Sequence, residues 1–159
     1  MGNDKKLIPG IDPTLVLLLF AVNDSLDIYV DMHNKIFKFS WRKIIPIPGF
    51  FLKIDFKMFA NKLSRVHSGI QVCRSEMDVL GPLLDNRNRI VLSVLVKFSD
   101  ALGDTVSRLS EICLQLWYKS NKPDSYSYVT YDAAYKRYES SVLEYVRVGE
   151  ELNRVCQAK

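Results

Sequence analysis

The stretch Phe56–Leu84, FKMFANKLSRVHSGIQVCRSEMDVLGPLL, places Phe56, Phe59, Leu63, Val66, Ile70, Cys73, Met77, Leu80 and Leu84 at alternating steps of three and four residues. A half-buried strand alternates every second residue, so this unbroken rhythm predicts a helix with one apolar stripe. Its mean period of about 3.5 is that of a heptad seam, which must be covered by other helices. Asp55 is placed to cap the helix start, and Gly81-Pro82 must kink or end it, because proline lacks the N–H and its ring crowds the preceding turn.

Working outward, the same rhythm recurs three times. Asp12-Pro13 opens a first helix of about 13–41, with Leu15, Leu19, Val22, Leu26, Tyr29, His33 and Ile36 on its stripe. Its end, KIFKFSW, also alternates Phe37, Phe39 and Trp41 with polar residues, so a short strand over 35–41 competes with the helix there. The second helix spans about 55–84. After the tight connection LLDNRNR, a third of about 88–119 carries Leu92, Leu95, Phe98, Leu102, Val106, Leu109, Cys113 and Leu116. The polar loop Asn121–Thr130 leads to a fourth of about 131–157, capped by Thr130, with Tyr131, Tyr135, Tyr138, Val142, Tyr145, Gly149, Leu152 and Cys156 in register. Four helices of similar length, joined by a connector over 42–54 and two shorter turns, predict one domain over 1–159. Its fold class is all-α, an antiparallel up-down-up-down four-helix bundle with coiled-coil-like heptad seams.

Composition agrees with one globular domain: 159 residues, 48% hydrophobic and 25% charged, with 7 glycines and 6 prolines. Cys73, Cys113 and Cys156 are far apart, form no CxxC pair and fall on apolar stripes. They are expected to be buried free thiols, which suits a reducing compartment and a cytoplasmic location. The apolar run Leu15–Val22 is too short for a spanning helix and is followed by Asn23, Asp24 and Asp27 rather than by a cleavage motif.

No catalytic or cofactor motif is apparent, which points to a non-enzymatic protein without catalytic residues, metal or cofactor. Neither His33 nor His67 has a carboxylate three residues before it, as di-iron bundles require. Asp24, Asp27 and Asp31 share a helix face, read as a solvated acidic surface with Asp31 paired to Lys35 rather than as a cation site.

Charge is distributed unevenly. Lys35, Lys38, Arg42, Lys43, Lys53, Lys57, Lys62 and Arg65 face a single acid, Asp55, which gives this segment +7 in a chain whose total is +4. Such asymmetry is a footprint for a polyanionic partner, either the phosphates of RNA or DNA or another acidic surface. Between these cations, Ile44–Leu52 is apolar, and Ile44, Ile45, Phe50 and Phe51 are candidates for contact with an anionic membrane or a partner. Seven of the eight tyrosines lie in the last 42 residues. Tyr131, Tyr135, Tyr138 and Tyr145 are the candidate interface for a protein partner or second copy, since a phenol suits a seam that is apolar inside and wet at its edge. The expected function is an interaction or adaptor module that self-associates, with nucleic-acid binding and membrane attachment as the alternatives.

Overall fold

The computed structural model describes residues 9–42 and 55–158, with the side chains of residues 38–42 outside that description. Helix α1 runs Pro13–Arg42, α2 Phe56–Leu80, α3 Asn86–Asn121 and α4 Tyr128–Gln157, with 3-10 turns at Gly81–Leu83 and Pro123–Ser125. The protein is all-helical, with no strand among the described residues, and α1 continues through the stretch where a strand competed. Among the described residues no helix is long and apolar enough to cross a membrane.

The helix starts follow from their caps. The Asp12 carboxylate accepts from the Thr14 and Leu15 N–H groups at 2.8 and 3.3 Å, with Pro13 at the position where a missing N–H costs nothing. Asp55 accepts from Met58 N–H at 2.9 Å. Asp85 accepts from Asn88 N–H at 2.8 Å, so α3 begins two residues before the first stripe-based estimate. At α4 the expected cap is corrected: Ser127, not Thr130, holds the helix start by accepting from Thr130 N–H at 3.4 Å, and α4 begins at Tyr128. At the other boundary α2 stops at Leu80, and Gly81-Pro82 tightens into a 3-10 turn before Leu84 extends. Leu84 is still buried, so the apolar rhythm outlasts the helix by one turn.

The core is organised around α3, which packs against each of the other three helices. Of the predicted stripe, Leu92, Leu95, Phe98, Leu102, Val106, Leu109 and Cys113 are buried and Leu116 is half-buried; Val91, Val94, Thr105 and Ile112 on its flanks are buried too. One seam was predicted here, but a helix touching three neighbours needs a wider apolar face. Each large aliphatic side chain removed from water contributes about 1.5–3 kcal/mol before the entropy of ordering is counted. Between α2 and α3, Ser110 Oγ donates to the Ala60 carbonyl at 3.1 Å, and Ser99 Oγ lies 3.9 Å from Met77 Sδ. Between α3 and α4, Gly149 lets the Phe98 ring approach so closely that a β-carbon there would lie 3.2 Å from it. Farther along the same pair, Arg137 reaches Glu111 at 3.2 Å.

The start of α1 is locked to the start of α3. Asn88 is buried; its Oδ1 accepts from Asp12 N–H at 2.9 Å, while its amide group donates to the Asp85 carboxylate at 3.1 Å. Gly10 turns with φ +79°, and a β-carbon there would meet Arg87 Nη1 at 2.6 Å. Nη2 of the same Arg87 donates to the Ala158 carbonyl at 2.9 Å. The expectation of three buried thiols holds for Cys113 alone; Cys73 and Cys156 are half-buried.

Candidate binding groove

Three tyrosines of α4, Tyr135, Tyr138 and Tyr145, meet aromatic side chains of α1. Tyr138 is buried, and its hydroxyl shares hydrogen bonds with the Tyr29 hydroxyl at 2.7 Å and with His33 Nδ1 at 2.5 Å. Tyr29 meets the ring of Tyr145 edge-on at 5.7 Å, and Phe37 stacks on Tyr138 at 5.9 Å and meets Tyr135 edge-on at 6.0 Å. Tyr131, Tyr135 and Tyr145 are half-buried. Burial pushes the phenols of Tyr29 and Tyr138 well above their ordinary range, and those of Tyr131, Tyr135 and Tyr145 upward too. Burial thus keeps the Tyr29 and Tyr138 hydroxyls, which bond each other at 2.7 Å, in their neutral form.

A different environment forms where α2 begins and α3 ends. A groove of about 410 Å³ is lined by Asp55, Lys57, Met58, Asn61, Lys62 and Arg65 along the first turns of α2, and by Trp117 from α3. Lys57 Nζ lies 5.2 Å from the Trp117 ring centroid and Lys122 Nζ lies 5.8 Å from it. Tyr118 meets Trp117 edge-on at 5.3 Å, and Lys119 Nζ lies 5.6 Å over the Tyr126 ring. At exposed positions a cation over a ring is worth about 0.5–1 kcal/mol, so these ammonium groups are held loosely. The one carboxylate of the groove, Asp55, already caps α2.

Of the eight basic residues noted in the sequence, the structure gathers Lys57, Lys62 and Arg65 on one wall. Lys35 is exposed and bonded to Asp31 at 2.6 Å, as expected from their spacing. Lys38 and Arg42 lie on the last turns of α1, with side chains outside the described part. Lys43, Ile44, Ile45, Phe50, Phe51 and Lys53, with the whole 43–54 part of the connector, lie outside the described residues. Trp117, Lys119 and Lys122 were not singled out in the sequence. Their signal was there, in LWYKSNK, where two aromatic residues precede two lysines. Among the described residues no three His, Cys, Asp or Glu side chains are placed to hold a metal ion, Asp24, Asp27 and Asp31 included. No protein-family model, curated protein or solved structure matches the chain.

Proposed function

We propose that this chain is a non-enzymatic helical-bundle interaction module that docks a polyanionic partner in the groove between α2 and α3. The observation that carries the proposal is the convergence of Lys57, Lys62 and Arg65 with the Lys122-flanked Trp117, beside a single carboxylate engaged in capping. Within this reading the helices form an antiparallel up-down-up-down bundle with heptad-like seams. Support comes from residue pairs that run in opposite order: Ala60 with Ser110 and Met77 with Ser99, then Phe98 with Gly149 and Glu111 with Arg137. Tyr29 with Tyr145 and Phe37 with Tyr135 extend that order to α1 and α4.

Salt dependence tests the groove. Each phosphate neutralised contributes roughly 0.7–0.9 to the slope of log affinity against log salt. Replacing Lys57, Lys62 and Arg65 together by Gln is expected to flatten that slope by about two units for an oligonucleotide or inorganic polyphosphate. An unchanged slope would place the contact elsewhere. Anionic vesicles run in parallel address membrane attachment through Ile44–Leu52, which requires that Phe50→Ser with Phe51→Ser abolish flotation.

A second copy is the other partner to consider. Leu143 and Val146 on the outer side of α4 are 73% and 44% exposed, one turn apart. Self-association through that side should appear as a concentration-dependent sedimentation coefficient at tens of micromolar, lost in Leu143→Glu.

A further inference from the structure

Trp117 is set among cations but is not buried by them, and that arrangement suits a more specific ligand than a bare polyanion. A polyphosphate or sulfated polymer would use the ammonium groups and leave the indole idle. A duplex would do the same, because its bases are stacked inside and only its phosphates reach a wall of Lys57, Lys62 and Arg65. A single strand offers both groups in alternation, an unstacked base with two faces and a phosphate on either side, and aromatic side chains in a basic groove are how proteins hold such strands without reading sequence. The distances allow this division. Lys57 and Lys122 lie 5.2 and 5.8 Å from the Trp117 ring, so a base laid on the indole would have an ammonium group close to each of its flanking phosphates. Tyr126, with Lys119 at 5.6 Å, repeats the aromatic-with-lysine pairing on the far side of the turn that ends α3.

We infer that the groove binds single-stranded nucleic acid, with one base stacked on Trp117 and the flanking phosphates held by Lys57, Lys62, Arg65 and Lys122. This rests on the polyanion reading above, and the experiment separates the two. In a Trp41→Phe background Trp117 is the one tryptophan left, so its fluorescence reports on the groove alone. Oligothymidylate, the same length of duplex, inorganic polyphosphate and anionic vesicles are titrated at low and moderate salt. The expected result is quenching of Trp117 by the single strand, with an affinity about tenfold or more above that for the duplex. With affinity read instead from the fluorescence anisotropy of a dye-labelled strand and duplex, Trp117→Ala should remove most of that preference and Trp117→Phe should restore part of it, which guards against a variant that fails to fold. If polyphosphate or duplex binds as tightly as the single strand and quenching is absent, the groove is a polyanion site and the stacking inference is overturned. If vesicles alone bind, or no polyanion does, both readings fall.

Discussion

A phenol placed between two helices must bury a ring and satisfy an oxygen, and Tyr138 does both against α1. Replacing it by Phe keeps the ring but leaves the Tyr29 hydroxyl and His33 Nδ1 each short of one bond. Tyr138→Phe is therefore expected to lower stability by about 1–3 kcal/mol in urea denaturation, and a loss below about 0.5 kcal/mol would mean that water replaces the hydroxyl. The same burial has a pH signature. Tyr29 and Tyr138 keep their protons in the folded state to a higher pH than in the unfolded chain, where tyrosine titrates near 10. Above that pH the unfolded chain binds fewer protons than the folded one, so stability falls with rising pH, by up to about 1.4 kcal/mol per unit for each phenol. Denaturation midpoints that stay flat from pH 9 to about 11 would contradict this. The sequence put Tyr29, His33 and Tyr138 on their own stripes, which burial bears out for the two tyrosines. That His33 meets Tyr138, 105 residues away, could not be read there, because it depends on how two helices slide against each other.

At the level of elements, the stripes predicted each helix to within a few residues, and the late starts given to α3 and α4 share one cause. Periodicity is silent wherever a first turn faces water. Tyr128 and Val129 are 69% and 77% exposed, so the buried pattern starts only at Tyr131 and suggested Thr130 as the cap. The turn before it is helical because Ser127 supplies the acceptor. Ser127→Ala should cost about 0.5–1 kcal/mol, lowering the melting temperature by about 2–4 °C in circular dichroism, while Thr130→Ala should leave it within error. The reverse ranking would restore Thr130 as the cap. The end of α2 failed in the opposite direction: Leu84 remains apolar and buried after Pro82 has ended the helix, so burial alone overstated its length. The second flank of α3 was also hidden, since a helix contacting three others looks, in sequence, much like one contacting two.

For the whole molecule, the three cysteines measure how tightly different depths are closed. Cys113 is inaccessible, and burial pushes its thiol up to about 12, whereas Cys73 and Cys156 are half-buried with smaller upward shifts. In alkylation at pH 8 followed by mass spectrometry, Cys113 should be modified at the rate of unfolding, and after both others; early labelling of Cys113 would mean that α3 and α4 part locally. The groove was legible only in half. The linear charge count found Lys57, Lys62 and Arg65, but Trp117 and Lys122 join them from a segment more than 50 residues later, through a fold that the count did not contain. Arg87 brings together parts still farther apart: the guanidinium that crowds Gly10 also holds the Ala158 carbonyl, at 2.9 Å. One side chain thus ties together the turn before α1, the first turn of α3 and the residue after α4. Loosening the end of α4 thereby loosens the hold on the turn before α1, because both rest on one guanidinium.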